Sequence, residues 1–179
     1  MSEISRVTIE PWGADDLPVL EANNEPAMMT YLGGPESAAK LLVRHARYLD
    51  GWRTGDSTMF RIDVDGQPAG GIGYWKTDWR DEDLLETGWA VHTAHHGKGV
   101  ATASLLLLIA HAAGHSDRRH LYAMPRTDNL ASNAVCRKAG FALKGPVDDE
   151  YPPGNPIVSN VWVLDLDRHR SRTTPQPRS

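Results

Sequence analysis

The sequence contains only one cysteine, Cys136, among its 179 residues, so no disulfide can form within the chain. It also lacks a long apolar run, because the leucine-rich stretch at 105–110 is too short to span a bilayer. The first residues contain no apolar core of the kind found in signal peptides. These absences predict a cytoplasmic protein with no part in the membrane.

An excess of positive charge is also missing, because the formal net charge at pH 7 is −4. This balance argues against a nucleic-acid surface built on phosphate contacts. The eight histidines include a group at His92, His95 and His96, but no matched set of carboxylates or cysteines accompanies it. We therefore expect no nucleic-acid partner and no metal.

The chain has the composition of one globular domain, since 40% of its residues are hydrophobic. The polar tail at 167–179 contains two prolines and is predicted to be disordered, so that the domain occupies 1–166. Asp65 and Gly66 are expected to form a hairpin turn. Periodicity and turn residues predict strands at 7–10, 58–64, 68–75, 84–91, 120–124, 141–147 and 158–166, and helices at 15–23, 26–32, 36–53, 100–113 and 129–139.

A glycine-rich turn at 96–101 separates the strand predicted at 84–91 from the helix predicted at 100–113. The first turn of a helix has unpaired N–H groups and a positive dipole end. Gly97 and Gly99 have no Cβ, so a phosphate can approach the main chain closely. The turn does not match a Walker A loop, because Gly99 follows Lys98, or a dinucleotide fingerprint, because Thr102 stands at its third glycine position. It is either a site for a phosphorylated cofactor or a plain strand-to-helix connection.

A second motif follows at 129–141, where a short helix with an Asn-led start is followed by Gly140 and Phe141. The two motifs in this order resemble the GNAT superfamily of acyl-CoA N-acyltransferases. The first motif of that family is matched as His96-x-x-Gly99-x-Ala101. The segment at 24–34 resembles the branch related to ribosomal-protein N-terminal acetyltransferases, and the likeness covers most of 5–166. The residues that match the second motif are Asn129, Ser132, Lys138, Gly140 and Phe141.

This resemblance implies a single α/β (α+β) domain. Its mixed central sheet would have about seven strands, helices on both faces, and a splayed strand pair at the cofactor cleft. It also implies an N-acetyltransferase that moves an acetyl group from acetyl-CoA to a primary amine of a small molecule or a protein N-terminus, as a monomer or homodimer. The alternative is a noncatalytic acyl-CoA-binding sensor or scaffold. The residues expected at the cofactor are Val91, His96, Gly97, Lys98, Gly99, Val100, Ala101, Asn129, Ser132 and Lys138.

An amine must lose its proton to attack a thioester, and the resemblance implies Glu86, on the strand before the glycine turn, as the catalytic base or water relay. Strand alternation places Glu86 and Gly88 on one face of the strand that leads into the glycine turn. The alternative is a structural strand carboxylate, and the acidic residues at 78–83 are rival bases. The resemblance also places an oxyanion-stabilising N–H near Val91.

The acid that would protonate the leaving thiolate is less clearly marked. Cys136 stands where many members of the family carry a tyrosine. A thiol has an ordinary pKa of about 8.5, so Cys136 could donate a proton, but a small packed residue is the preferred interpretation. The resemblance offers the hydroxyl of Ser132 as another candidate, and the thiolate could also leave without help.

Candidate acceptor-binding residues lie in two segments. Trp75, Asp78 and Trp79 combine aromatic faces with negative charge, which suits a cationic amine. Met28 and Tyr31 are expected on the other wall of the acceptor cleft. For both segments, packing against the protein body is the alternative.

Overall fold

The computed structural model describes residues 6–79 and 82–170, with only the backbone described at 82 and 83. Seven strands form one sheet in the order β1-β2-β3-β4-β5-β7-β6. The strands are β1 (Val7–Pro11), β2 (Ser57–Val64), β3 (Gln67–Trp79), β4 (Glu82–Val91), β5 (His120–Ala123), β6 (Ala142–Glu150) and β7 (Pro156–Asp165). The helices are α1 (Leu17–Asn23), α2 (Ala38–Thr54), α3 (Val100–His115), α4 (Leu130–Lys138) and α5 (Asp167–Arg170), and 3-10 turns occupy Ala14–Asp16 and Thr93–His95.

The first four strands are antiparallel neighbours, and a tight turn joins β2 to β3. Asp65 and Gly66 both have positive φ, 52° and 78°, as the two central residues of a type I′ hairpin turn require. Strand β4 then runs parallel to β5, and β5, β7 and β6 are again antiparallel. The predicted mixed sheet is confirmed.

Helices cover both faces of the sheet because the side chains of β3 alternate. Ile72 and Tyr74 pack in the main core with α3. Trp75 packs in a second cluster on the opposite face, with residues of α1 and α2. Gly71 faces the same side as Trp75, since a Cβ there would contact Trp12.

Residues at the two ends of α2 determine where the helix begins and ends. The Ser37 side chain accepts a hydrogen bond from the Lys40 amide and caps the first turn. Gly55 ends the helix in the left-handed conformation, with φ of 77°, which a residue with a Cβ adopts only at a cost. None of the described helices is long and apolar enough to cross a membrane.

Several predicted boundaries differ from the structure. The segment at 26–32 forms turns rather than a helix, and α3 continues past Gly114 to His115. The start of the predicted tail forms α5, where the Arg170 side chain donates to the carbonyl oxygens of Ala113 and Ser116. These bonds tie α5 to the end of α3, and the remaining tail at 171–179 lies outside the described residues.

Candidate active site

The centre of the sheet contains a splayed strand pair. The parallel register of β4 and β5 includes only two pairs, Leu85 with Leu121 and Glu86 with Tyr122. Strand β4 continues to Val91, five residues beyond the last pair. The two strands therefore separate toward the C-terminal end of β4, and a cleft opens there, as the resemblance implied.

Backbone N–H groups of β4 face this cleft. The amide of His92 donates to the Ala69 carbonyl, at 2.8 Å, so the even-numbered residues of β4 direct their backbone groups toward β3. The amides of Trp89 and Val91 consequently point to the other side, where β5 has diverged. In this direction they can donate to a ligand that lies between the strands.

The glycine turn lies next to this opening and leads into α3. Gly97 and Gly99 have φ of 72° and 78°, and a Cβ at either would meet no atom within 4 Å. The first α3 bond runs from the Ala103 amide to the Gly99 carbonyl, at 3.0 Å, so the amides of Val100 to Thr102 have no acceptor within the helix. This exposed cradle of donors at the positive end of a sixteen-residue helix fits a diphosphate.

The polar side chains of the turn bind its own backbone. The His96 Nε2 donates to the Val91 carbonyl at 2.7 Å, and the Lys98 ammonium donates to the Ala94 carbonyl at 2.8 Å. His96 thus joins the end of β4 to the glycine turn. Both residues were predicted to contact the cofactor, and in this structure they hold the shape of the turn.

The second motif forms α4, whose first turn is capped by Asn129. The Asn129 side chain accepts a hydrogen bond from the Ser132 amide at 3.1 Å. The Ser132 side chain is half-buried and Lys138 is exposed. Asn129 and Ser132 therefore lie together at the N-terminus of α4, whereas Lys138 lies at its other end, two turns away.

Asn133 is the residue of this motif with the most hydrogen bonds, and the sequence analysis gave it no role. Its side-chain oxygen accepts from Asn160 and from the Trp162 indole, each at 2.8 Å. Its side-chain nitrogen donates to the carbonyls of Arg126 and Asn129. It fastens α4 to β7. Its place one turn after Asn129 was visible in the sequence, but its partners were not.

Glu86 lies on the sheet face that carries α1 and α2. It is paired across the β3–β4 ladder with Trp75, and both side chains project to the same side. A Cβ at Gly88 would come within 2.8 Å of the Trp75 ring, so Gly88 gives this ring its space beside Glu86. Glu86 and Gly88 therefore lie on the same face of β4, as the strand alternation predicted.

The carboxyl of Glu86 has a pKa well above the ordinary value for glutamate. Burial raises its pKa from 4.5 to about 7, a hydrogen bond with Trp75 opposes this shift, and the negative charge of Asp149 adds to it. Asp149 is half-buried on β6. A carboxyl group with a pKa near neutrality can both accept and release a proton at physiological pH.

The loop at 24–36 covers this face next to the hairpin formed by β6 and β7. Two hydrogen bonds of 2.8 Å between Asn24 and Glu36 close the loop at its base. The Tyr31 ring lies 5.6 Å from the Arg126 guanidinium carbon. A Cβ at Gly33 would lie 2.6 Å from the Pro152 ring of the hairpin. Tyr31 is therefore at the interface between the loop and the strands that flank the cleft.

The other residues predicted to bind the acceptor are only partly brought together. Met28 is half-buried in the same loop as Tyr31. Trp75 and Trp79 share the face of Glu86, because they are an even number of residues apart on β3. Asp78 falls on the opposite face and is exposed. Of the rival bases, Asp81 lies outside the described residues.

Cys136 lies in the main core and has no exposed surface. Burial raises the pKa of its thiol to about 12. The thiol therefore holds its proton far more tightly than an ordinary cysteine, which supports the packing interpretation. Within the described residues, no group of three or more His, Cys, Asp and Glu is placed to hold a metal ion.

Comparison with known proteins identifies the family. Residues 6–142 match the acetyltransferase (GNAT) domain. This chain belongs to the GNAT acetyltransferase family. The resemblance stated from the two motifs is confirmed, and the match includes the glycine turn, Glu86 and α4.

A curated relative is the ribosomal-protein-serine acetyltransferase of Escherichia coli (strain K12), which is 30% identical over 91 residues. The matched stretch covers 51% of this chain and 50% of the relative, so the chain spans about half the length of the curated protein it matches. This relative belongs to the branch that the 24–34 segment had suggested.

Solved structures share the fold. RimL, a ribosomal L7/L12 alpha-N-protein acetyltransferase in complex with coenzyme A, superposes with a TM-score of 0.76 at 21% identity, over 90% of this chain and 94% of that chain. An aminoglycoside acetyltransferase in complex with coenzyme A gives a TM-score of 0.75 at 20% identity, over 94% and 99%. The predicted GNAT-like fold is confirmed. The two neighbours have different kinds of acceptor.

Proposed function

We propose that this protein is an N-acetyltransferase that transfers the acetyl group of acetyl-CoA to a primary amine. One observation carries the proposal: a carboxyl group with a pKa of about 7, that of Glu86, lies on the strand that opens into the cleft. A binding protein does not need a proton acceptor tuned to neutral pH beside its ligand cleft. An amine acceptor does need one, because most amines are protonated at pH 7.

The chain's own groups suit acetyl-CoA. The amides of Val100 to Thr102, approached across Gly97 and Gly99, would hold its diphosphate. The diverging ends of β4 and β5 leave room for an extended arm between them. When bound, acetyl-CoA supplies an activated thioester.

Two groups of the chain would act on the reacting atoms. Glu86, directly or through water, takes the proton from the amine. The N–H of Val91 faces the cleft and donates to a carbonyl oxygen that gains negative charge. Both groups belong to β4, so one strand fixes their relative position.

The leaving thiolate would receive its proton from Ser132 or from solvent. Ser132 is half-buried at the start of α4 and has a hydroxyl to offer. Cys136 lies one turn further along the same helix, inside the core. We assign Cys136 to packing.

The acceptor is a cationic amine, either a small molecule or a protein N-terminus. Glu86 and Asp149 provide negative charge, and Trp75 and Tyr31 provide aromatic faces. The relatives named above act on the N-termini of ribosomal proteins and on aminoglycosides. A cytoplasmic location and a monomeric or homodimeric state remain predictions.

Release of free thiol from acetyl-CoA, measured across a panel of amines, tests the function. The panel contains short peptides with free N-termini, the same peptides with blocked N-termini, aminoglycosides and linear polyamines. We expect thiol release that depends on an unblocked amine, with an acetylated product visible by mass spectrometry. Tight binding of acetyl-CoA without turnover on any amine would instead identify a noncatalytic acyl-CoA sensor or scaffold.

A further inference from the structure

Ser159 of β7 has a buried hydroxyl group without a hydrogen bond. The residue has no exposed surface, and among the described residues its Oγ meets no donor or acceptor. Most buried polar side-chain atoms in proteins have a partner, because a buried hydroxyl that has lost its bonds to water destabilises the folded state. Each exception needs a physical reason. A bound molecule that supplies the missing bond is one such reason.

The alternation of side chains on β7 sets the direction of Ser159. Asn160 and Trp162 both donate to the side chain of Asn133 on α4, so the even-numbered residues of β7 project toward α4. The odd-numbered residues, among them Ser159 and Val163, therefore project to the opposite face of the sheet.

That opposite face is the one that carries Glu86. Tyr122 of β5 is paired with Glu86 on one side and with Val163 on the other. Paired residues on neighbouring strands project to the same face, so Glu86, Tyr122 and Val163 share a face. Val163 and Ser159 are four residues apart on β7, and Ser159 therefore shares this face as well. It is the face on which the acceptor amine would meet Glu86.

The hairpin formed by β6 and β7 bends toward Glu86 on this face. In the sheet order, Glu86 of β4 and Asp149 of β6 are separated by three strand spacings, which is about 14 Å in a flat sheet. The charge of Asp149 nevertheless raises the pKa of Glu86, and charges near a protein surface act mainly within about 8 Å at physiological salt. Asp149 is paired with Ile157, two residues from Ser159. Ser159 therefore lies on the concave side of the sheet, between the strands of Glu86 and Asp149.

The loop at 24–36 covers Ser159. Arg126 and Ser159 form an isolated antiparallel bridge, so both side chains project to the same face. The Tyr31 ring lies 5.6 Å from the Arg126 guanidinium carbon, and Met29 of the same loop is buried. Tyr31 is only half-buried, and a contact of this kind near the surface is weak enough for a ligand to displace. A ligand can therefore reach Ser159 from the side of the loop.

We propose that Ser159 is a specificity residue whose hydroxyl forms a hydrogen bond with a neutral oxygen that the acceptor carries at a distance from its reacting amine. This inference rests on the proposed function and adds a second feature to its acceptor. Glu86 and Asp149 match the positive charge of the amine. The charges next to Ser159 are balanced, because Arg126 is paired with Asp128 at 2.7 Å. A hydroxyl or carbonyl oxygen therefore suits Ser159 better than a second ammonium or a carboxylate.

The sheet geometry sets the length of an acceptor that contacts both Glu86 and Ser159. Ser159 lies four residues along β7 from the level of Glu86, about 13 Å, and two strand spacings across, about 10 Å. The bend of the hairpin shortens this separation. An acceptor whose oxygen is on the carbon next to the amine carbon is nevertheless too short to reach Ser159, whereas one with the oxygen several carbons further along can do so.

The first test compares acceptors in matched sets. Linear primary amines of increasing length carry a hydroxyl, a dimethylamide or a methyl group at the far end, so that one ending can donate or accept, one can only accept and one can do neither. We expect equal KM values in the short sets. In the long sets, the KM of an oxygen-bearing amine should be about tenfold lower than that of the methyl compound, because a site that provides a hydrogen bond discriminates against an analogue that lacks it. In Ser159→Ala this preference should disappear, with little change in kcat or in acetyl-CoA affinity.

The second test measures stability in the absence of an acceptor. Ser159→Ala removes an unpaired hydroxyl, so we expect the melting temperature to rise by about 2–4 °C. The matched control is Thr87→Val, because the Thr87 hydroxyl is also buried in a strand but donates to the Gly73 carbonyl at 2.8 Å. This control should lower the melting temperature and keep the preference for the oxygen-bearing amines. A purely structural role of Ser159 would not combine higher stability with weaker acceptor binding.

Several results would overturn the proposal. These are equal KM values for all three endings at every length in the wild type, a preference that Ser159→Ala retains, and a melting temperature that falls in Ser159→Ala as it does in Thr87→Val. The last result would mean that the Ser159 hydroxyl is already bonded in the free protein. Failure of the proposed function is distinguishable, because no amine of any length or ending would then be acetylated.

Discussion

Glu86 illustrates how environment gives an ordinary side chain its chemistry. Glutamate on an exposed strand has a pKa well below neutrality. Here burial beside Trp75, together with the negative charge of Asp149, raises the pKa to about 7. The folded protein therefore binds the proton more strongly than the unfolded chain does. Because of this, the contribution of Glu86 to stability decreases as pH rises from about 4.5 to about 7.

Replacement of Glu86 by glutamine should separate catalysis from stability. We expect Glu86→Gln to reduce kcat by about a hundredfold or more, the usual loss for a positioned base. The rate of the wild type should rise with pH through about 7, as the carboxyl loses its proton, and this limb should be absent in the variant. The measurements are kcat/KM from pH 6 to 9 and thermal melting.

The matched control for this experiment is Asp149→Asn, which removes a charge that raises the pKa of Glu86. Its pH–rate limb should move to lower pH while activity is retained. Acetyl-CoA affinity should change little in either variant. A Glu86→Gln protein with normal turnover but a lower melting temperature would make Glu86 a structural carboxylate.

Burial has the opposite consequence for Cys136, because it makes an ordinarily reactive thiol unreactive. It has no exposed surface and its thiol pKa is raised to about 12 by burial. We expect Cys136→Ala to keep most of the turnover. Cys136→Ser should also keep it but lose about 1–3 kcal/mol of unfolding free energy, because a hydroxyl would be buried in an apolar core. Steady-state kinetics and denaturant unfolding measure the two effects. A loss of turnover above about a hundredfold in both folded variants would identify the thiol as the acid.

At the scale of elements, the glycine turn and α3 form one anion site. Gly99 lies at the N-terminus of α3 in the left-handed conformation, with open space where a Cβ would be. Substitution there strains the backbone but does not cause a collision. The effect of a negative charge at position 99 on acetyl-CoA binding can therefore be separated from the effect of backbone strain, by comparing a charged with an uncharged side chain of the same shape.

A pair of variants at this position tests the diphosphate site. Asparagine and aspartate have nearly the same shape and both tolerate the left-handed conformation. We expect Gly99→Asp to weaken acetyl-CoA binding at least about tenfold relative to Gly99→Asn, equivalent to about 1.4 kcal/mol. Calorimetric titration of both proteins provides the comparison. Equal affinities would place the diphosphate elsewhere.

The elements that could be predicted from the sequence are those whose conformation depends on residues close together in the chain. Asp65-Gly66 encodes its turn, and the helical spacing of Leu105, Leu108 and Ile109 matches the buried side of α3. The segment at 26–32 was predicted as helix but forms turns, because the Asn24–Glu36 bonds close it as a loop. Those bonds join residues twelve positions apart, which helical periodicity does not detect.

At the scale of the whole molecule, a histidine couples stability to pH. His111 of α3 shares a hydrogen bond with the Tyr74 hydroxyl at 3.1 Å and stacks on His115 with ring centroids 4.0 Å apart. Trp52 and Phe60 surround it. Burial, and secondarily the neighbouring His115, lowers the pKa of His111, and burial raises the pKa of Tyr74.

The sign of the expected effect follows from this shift. The folded state favours neutral His111, so the unfolded chain binds more protons at this site near and below pH 6.5. Glu86 contributes with the opposite sign in this range, so the effect of His111 is measured as a difference between two proteins that share Glu86. As pH falls from about 7.5 to 5.5, we expect the melting temperature of the wild type to decrease relative to that of His111→Gln, which cannot be protonated. Thermal unfolding across this range measures it, and identical slopes for the two proteins would contradict the role of His111.

The sequence by itself determined the family-level features of this protein. Two short motifs, around Gly99 and around Gly140, specify a strand–turn–helix and a second helix because their residues act on their own backbone. Glu86 could be selected because it lies on the strand before the first motif, and Gly88 marks the shared face. These features depend on neighbours in the chain, so a pattern of residue types is enough to find them.

The tertiary structure alone decided which residues meet. The raised pKa of Glu86 depends on its burial and on the charge of Asp149, and Asp149 lies more than sixty positions away on another strand. The role of Asn133 depends on Asn160 and Trp162 of β7, and the face of Asp78 depends on the register of β3. Strand pairing brings distant residues together through sheet order and register, and no local pattern encodes those distances. The same physics placed Cys136 in the core, where its chemistry is suppressed.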